Sequence, residues 1–489
     1  MSRALRPALL LAALLTACPK QPAGGAIPEI PPALSAEAEF VPPAPVALAG
    51  PAGSRLWVAP RPGLPLVSLR LVLPGGAVTD PAERPGLASM ADAAVLRGAG
   101  ARDAAAFAAF AALHAIEMDV STSKLGTVVH VDCQADKLDL ALGLLADVVL
   151  KPRFDAPAVS LLVEERVAQL TQEADEPRVV AAQVGDRVWY SAQSPMGRPT
   201  DGTLAAVKAM DGAALQASWA ARAQPAGATV IASGAVEAEA LRAALDRHLG
   251  AWTAGAPAAA PAPVSAGLPP APGGPRLTLV DNPGASQTVL RVLLPGPSLG
   301  DPDRAATELG AVVLGGTFTS RLNRLLREEK GYTYGARAAL ESRPSSGRVV
   351  VATNVFLDKT GPALEDLLRE LSRFGAGVDE GELRKAQGAV RTDEIEAAGT
   401  RGAVADALAD LALNGRAPDA LATDLRAALA VPEAQVDGVA KALLTRGVQI
   451  VVVGDLSKVR APVEAAVAAA LGAAPAVEQR DVHGELVTP

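Results

Sequence analysis

Along residues 66–74 the side chains alternate. Val67, Leu69, Leu71 and Leu73 fall on one face and Ser68 and Arg70 on the other, the period-two pattern of a strand that buries one face. Residues 127–133 predict a second strand. Over 135–150 the period changes: Leu138, Ala141, Leu144, Leu145 and Val148 recur at the spacing of a helix with one buried face. Late strands are predicted at 228–233 and 448–453. Strands and helices mix without strict alternation, which predicts an α+β fold, a mixed and mainly antiparallel sheet covered by helices.

The pattern occurs twice. "LRLVLPGGAVTDP" (69–81) aligns without a gap on "LRVLLPGPSLGDP" (290–302) at an offset of 221 residues. The same offset places Gly126-Thr-Val-Val on Gly347-Arg-Val-Val, and one of 220 places Arg153-Phe154 on Arg373-Phe374. A repeat that keeps its spacing implies an internal duplication. Pro/Ala/Gly-rich stretches divide the chain, since such segments bury too little apolar surface to order themselves. The expected organisation is a leader at 1–18, a disordered tether at 19–53, a first domain at 54–252, a linker at 253–275, a second domain at 276–471 and a loose tail at 472–489.

Composition narrows the function. Hydrophobic residues make up 49% of the 489, but aromatics only 3%, so Ala, Leu and Val must fill the cores. A net charge of −8 and a pI near 5.3 argue against a grip on nucleic-acid phosphates, leaving protein or peptide as the expected partner. The start of the chain has Arg3 and Arg6, a short apolar run at 9–15, then Leu15-Thr16-Ala17-Cys18. That is the layout of a secretory signal rather than a membrane span, and Leu-Thr-Ala-Cys resembles the lipobox of bacterial lipoproteins, with Cys18 as the lipidated residue. The expected location is the bacterial envelope, lipid-anchored and facing the periplasm, with the outer membrane preferred because Pro19 and Lys20 do not resemble an inner-membrane retention signal. Beyond Cys18 the single cysteine, Cys133, leaves no internal disulfide to form.

Four stretches taken in order carry a resemblance: "GLASMADAAVLRGAG" (86–100), "LLADVVLKPRF" (144–154), "SPMGRPTDGT" (194–203) and "TSRLNRLLREEKGYTYG" (319–335). Together they resemble the insulinase/pitrilysin family of zinc peptidases, in particular bacterial members similar to the mitochondrial processing peptidase, over about 55–470. The resemblance implies two homologous domains forming half of a clamshell. In that family the first helix carries H-x-x-E-H, two histidines that share a helix face and a zinc, with a glutamate to activate the metal-bound water. Those roles fall here on Ser89, Asp92 and Ala93, and the third-ligand position falls on Gln169, with Glu173 one turn on. A hydroxyl, a methyl and a neutral amide make a poor zinc set. Asp92 keeps a carboxylate, but without a metal it is expected as a solvated helix residue. None of His114, His130, His248 and His483 has a second histidine at ligand spacing, so no metal is expected in this chain.

The second half keeps what the first has lost. The family's arginine and, seven residues later, its tyrosine fall on Arg327 and Tyr334, with Tyr332 a nearby competitor. A guanidinium and a phenol can donate hydrogen bonds to a peptide carbonyl whose oxygen gains charge in the tetrahedral intermediate. Gly315 and Gly316 resemble the family's glycine-bearing loop and are candidate substrate contacts. Some family members divide the work, one subunit bearing the zinc motif and another the arginine and tyrosine. The resemblance therefore implies the metal-free subunit of a heteromeric peptidase acting on peptides or unfolded segments, with zinc in the partner. The alternative is an inactive homologue that serves as a peptide-binding or scaffold protein, and a solitary activity through an unusual metal site ranks last.

Overall fold

A computed structural model describes residues 40–253, 274–445 and 447–487; the expected leader, Cys18, most of the tether and nearly all of the linker lie outside them. From Pro42 onward the chain forms one compact unit. The strands of its two large sheets are β1 (Val46–Ala49), β2 (Arg55–Pro60), β3 (Leu66–Pro74), β4 (Glu117–Thr122), β5 (Gly126–Gln134), β6 (Thr229–Gly234), β7 (Arg276–Asp281), β8 (Gln287–Pro295), β9 (Thr333–Arg343), β10 (Ser346–Phe356), β11 (Gln449–Gly454) and β12 (Ala476–Arg480). The helices that matter below are α1 (Leu87–Val95), α2 (Leu138–Leu150), α3 (Ala156–Glu173), α4 (Pro177–Tyr190), α5 (Gly212–Arg222), α6 (Thr360–Phe374), α7 (Glu380–Ala397) and α8 (Arg401–Leu413).

The duplication is real in three dimensions. One six-stranded sheet runs β1-β2-β6-β3-β5-β4 and the other β12-β7-β11-β8-β10-β9, so each strand of the first half from β2 to β6 has a counterpart in the second. The β3/β5 and β8/β10 pairs are antiparallel hairpin-like ladders, and β2/β6 and β7/β11 are parallel. One face of each sheet packs on its own helices, burying Leu69, Leu71, Leu144, Leu145 and Val148 in the first half and Leu290, Val292, Leu364, Leu367 and Leu368 in the second. This is the mixed-sheet, two-domain α+β architecture read from the sequence, and it fits the clamshell-half arrangement.

Three differences have physical causes. The expected tether ends too late, because Val46–Ala49 already pairs antiparallel with β2. The expected tail is likewise not all loose, because Ala476–Arg480 adds parallel to β7. Both short strands are mostly not buried and are held by ladder hydrogen bonds to an existing edge. Finally, the second face of β3 is not open to solvent: Ser68 and Arg70 are buried beneath α8, which crosses from the other half.

That crossing is reciprocal. Val404, Ala405, Leu408 and Ala409 of α8 pack on Trp57, Val72, Val128 and Ile231 of the first sheet. In return Val180, Ala181 and Val184 of α4 pack on Val280, Val289, Val451 and Val453 of the second. Arg70 fastens the first crossing, donating through Nε to Asp406 at 2.6 Å and through Nη1 to Asp132 at 3.1 Å. Arg348 fastens the second, 2.6 Å from Asp186. Each domain thus completes the other's core, and small residues on both helices allow the close approach.

Candidate active site

The first-half site begins with a turn that only glycine allows. Gly86 has φ 90°, and a Cβ there would lie 2.6 Å from the Cα of Gly202. Asp80 then caps α1, accepting from the amides of Gly86 and Ala88, both at 2.8 Å. Burial pushes the Asp80 carboxyl up to about 6, against the opposing pull of those amides and of Arg222.

On α1 the degenerate motif is closed by ion pairs. Asp92 is fully buried, which corrects its expected solvated position. Its carboxylate receives Arg222 Nη2 at 2.5 Å and Thr122 Oγ1 at 2.7 Å, and also the hydroxyl of Thr127. Arg222, at the end of α5, is itself saturated by Thr127 Oγ1 at 2.8 Å and the Ala88 carbonyl at 3.2 Å. Ser89 donates to Asp201 at 2.7 Å and accepts from Arg166 Nη1 at 2.9 Å, and Arg166 pairs with Asp201. Ala93 is half-buried, packed against the first core. Gln169 is exposed and turns along its own helix, donating to Glu173 at 2.7 Å.

These residues do not fit a zinc ion. The first ligand position already holds a guanidinium, a fixed positive charge that repels a divalent cation. The candidate carboxylate is paired with Arg222, and the third position is a neutral amide bonded to Glu173. Among the described residues no three His, Cys, Asp or Glu side chains converge as a metal set. Asp201 lines a cavity of about 180 Å³ with Lys124, Arg198 and Thr200, and burial pulls the Lys124 ammonium below its ordinary range.

The second-half site is built differently. Two π-helical turns, Val312–Gly316 and Arg324–Glu329, flank it; such turns are rare and recur at functional sites. Gly315 is buried against β9, where a Cβ would come within 2.4 Å of the Ala338 amide nitrogen, and Gly316 is exposed beside Val312. Close packing explains Gly315. Arg327 lies in the second π turn with its guanidinium 3.8 Å above the ring of Phe318, and its Nη1 is buried with no acceptor. Tyr334 sits where the β9/β10 register shifts, between Thr333 and Ala336, a bulge that re-aims its side chain. Its ring meets Phe356 edge-on at 6.0 Å. Tyr332, the competitor, packs against the second core instead.

One buried carboxamide joins the parts. Asn323 donates to the carbonyls of Thr317 at 3.0 Å and Ala336 at 2.9 Å, and its Oδ1 accepts from the Ala336 amide at 2.9 Å. It ties the residue before Phe318 to the strand that carries Tyr334. No hydrogen bond or ion pair among the described residues links this site to Ser89 or Asp92; Arg327 and Tyr334 lie in one half, on Phe318 and against Phe356 respectively, and the motif positions in the other. Sequence reasoning missed Arg166, Asp201, Arg222, Asn323, Phe318 and Phe356. Asp201 and Asn323 stood inside quoted motifs; the arginines carried no local signal.

Residues 60–195 match the model of the insulinase family, peptidase family M16, and residues 210–390 match the model described as the peptidase M16 inactive domain. The chain belongs to the insulinase family. Relatives include uncharacterized zinc proteases of Mycobacterium tuberculosis and Mycobacterium leprae, each 30% identical over 56% of this chain. The matches span 62% and 61% of those proteins' own lengths. Among solved structures, the peptidase M16 inactive domain from Pseudomonas fluorescens matches with a TM-score of 0.75 at 22% identity, over 84% of this chain and 98% of that one. The periplasmic protease PqqL of Escherichia coli matches at 0.71 and 18% identity, over 92% of this chain and 51% of that one. At these identities the structures speak for the fold of this insulinase-family chain, not for its activity.

Proposed function

We infer that this insulinase homologue is the metal-free subunit of a heteromeric zinc peptidase acting on peptides or unfolded segments. The observation that carries this reading is the contrast between the paired motif positions around Ser89 and Asp92 and a second-half site that keeps Arg327 and an exposed Tyr334. A guanidinium and a phenol there can donate to a substrate carbonyl. Arg327 and Tyr334 then hold the scissile carbonyl and stabilise charge on its oxygen. The zinc-bearing partner, a chain of the same family, supplies the activated water that this chain's filled motif cannot.

The test is to purify the chain alone, the zinc-bearing sibling alone, and both together. Peptide cleavage should need both, and Arg327→Ala should lower kcat by about 10²- to 10³-fold while the complex still forms. Normal cleavage by the substituted pair sinks the catalytic role. A second reading, a peptide-holding scaffold without catalysis, draws on the complete ion pairing at Ser89 and Asp92; the mixture then binds peptide but cleaves no faster than the sibling alone.

The same reading places the chain in the bacterial envelope, anchored through lipid on Cys18 and facing the periplasm, with the outer membrane preferred. Its support is the lipobox-like Leu15-Thr16-Ala17-Cys18. Metabolic labelling with a fatty acid should mark the wild-type chain and not Cys18→Ala.

A further inference from the structure

The face of the first sheet that α8 crosses carries polar side chains apart from both candidate sites. Ser121 on β4 pairs directly with Val128, on which α8 packs, and His130 follows two residues along β5 on the same face. Ser121 Oγ lies 2.9 Å from His130 Nε2. The other ring nitrogen, Nδ1, faces Asp406 Oδ1 of α8 at 3.6 Å. A serine bonded to a histidine across a ladder is ordinary. A carboxylate at the far nitrogen, brought from the other half of the chain, orders the three as nucleophile, base and orienting acid.

The charges around the ring suit a base. Burial first, and Arg70 second, push the His130 imidazole below its ordinary range, so at neutral pH it is uncharged and able to take a proton. The carboxylates of Asp406, Asp119 and Asp132 pull the other way and steady the imidazolium once the proton has moved. Asp406 is itself held, accepting from Arg70 Nε at 2.6 Å. Ser121 is exposed, so a carbonyl can reach its hydroxyl from solvent.

The backbone supplies a donor beside it. The Ser123 amide donates to the Gly126 carbonyl at 2.8 Å, which makes these two a hydrogen-bonded pair and the next, Thr122 and Thr127, a non-hydrogen-bonded one. The Thr122 amide therefore points away from β5, to the open side of the outermost strand. It is the amide that follows the nucleophile, the position from which α/β-hydrolases draw an oxyanion donor. On the opposite face of the sheet the Thr122 hydroxyl donates to the buried Asp92 at 2.7 Å, so the filled motif holds this strand end in place.

We propose that Ser121, His130 and Asp406 form a second reactive site, which hydrolyses small uncharged carboxylic esters and needs no zinc-bearing partner. Ser121 Oγ attacks the ester carbonyl carbon while its proton passes to His130 Nε2, and the Thr122 amide receives the negative oxygen. The bond from that carbon to the alcohol oxygen then breaks, and the leaving oxygen takes the proton from Nε2, which leaves the acyl group on Ser121. Water attacks the acyl carbon by the same two proton transfers, releasing the acid and restoring the serine. One backbone donor and an open surface limit the site to carbonyls with a good leaving group, esters and not amides. Three carboxylates against one guanidinium around the ring disfavour anionic esters.

The experiment uses the purified full chain and two probes: a fluorophosphonate, whose adduct is located by peptide mass spectrometry, and p-nitrophenyl acetate, followed by nitrophenolate release. The fluorophosphonate should modify Ser121, and ester hydrolysis should fall to the buffer rate in Ser121→Ala, an exposed strand position. His130→Gln should slow both reactions about 10²-fold, and Asp406→Asn should slow both as well, each variant being read at a temperature where its circular dichroism spectrum equals that of the wild type. No adduct on the wild-type chain, or adducts only at other residues, overturns the site. Modification of Ser121 at full rate in His130→Gln shows an unassisted surface hydroxyl and overturns it too. Full rates in Asp406→Asn remove the carboxylate from the arrangement, and the proposal fails.

Discussion

The two halves share strand order, yet the side chains at their two candidate sites are partnered differently. In the first, Asp92 is linked to Arg222, and Ser89 to Arg166 and Asp201, and the charge nearest the motif helix is buried and paired. In the second, Arg327 keeps a buried nitrogen without an acceptor and aromatic rings stand in solvent. A hydroxyl and a methyl where the family has two imidazoles leave room between α1 and its neighbours, and polar groups there must find partners or lose stability. The first half has closed that room with ion pairs. The second keeps an arginine nitrogen at its site without an intramolecular acceptor, a cost that nothing in the chain's own hydrogen bonding offsets.

The contrast breaks most sharply at Asp92. In Asp92→Ala, Arg222, 4% exposed, is left buried without its carboxylate, and removing one partner of a buried pair costs about 3–5 kcal/mol. Arg327→Ala should move stability by about 1 kcal/mol or less, because only the cation–π contact with the exposed Phe318 ring is lost. Urea midpoints of the two variants measure the difference. Similar midpoints would mean that the first-half network is not what holds α1 in place.

Next in size is a pH effect of inverted sign. Asp80 titrates near 6 in the fold, against an ordinary 3.8, so between those values the folded chain binds a proton that the unfolded chain has released. Its contribution is fully present below about pH 4 and is lost as pH rises through 6, up to about 3 kcal/mol for a two-unit shift. Relative to Asp80→Asn, the wild type should therefore gain stability from pH 7.5 to pH 4.5, where an ordinary paired carboxylate would lose it. A wild-type minus variant difference that is flat or rises with pH refutes the buried-acid account.

What could be read from the sequence was what local spacing encodes. The alternation in β3 and its copy in β8 at an offset of 221, the helical period of α2, and the arginine-to-tyrosine spacing all survive folding because each depends on near neighbours. What could not be read was long-range. Nothing in the composition of 401–413 says that this helix crosses to cover Ser68 and Arg70 of the other half. Asp92 looked like a solvated helix residue because its partner, Arg222, lies on a helix 130 residues later. The tether boundary failed because Val46–Ala49 is exposed in three of its four residues and owes its order to pairing. Phe318 and Phe356 drew no attention singly; only the fold brings them beside Arg327 and Tyr334 respectively.

Asn323 sharpens the comparison at a lower magnitude. Asn323→Ala leaves the buried amide of Ala336 without its acceptor and frees the Thr317 carbonyl, costing about 2 kcal/mol. Hydrogen exchange should accelerate at 317–320 and 334–337 and stay unchanged around α1. Uniform acceleration through both halves would mean that Asn323 supports the whole domain rather than this site.

The smallest effect expected is none at all. Ser89→His/Ala93→His/Gln169→Glu writes the family's two histidines and its distal glutamate back into the chain, yet zinc should not bind. Arg166 reaches the position of the first histidine from α3, and zinc needs its ligands converging at about 2.0–2.2 Å with no fixed cation beside them. The Gln169 side chain also points along its own helix toward Glu173, so a glutamate there starts from the wrong direction. Adding Arg166→Ala removes the charge and frees the Asp201 carboxylate, and metal content by elemental analysis should rise from near zero toward one per chain. If the three substitutions alone bring in stoichiometric zinc, the guanidinium is a bystander, and the first half differs from an active one by its missing ligands and not by what has taken their place.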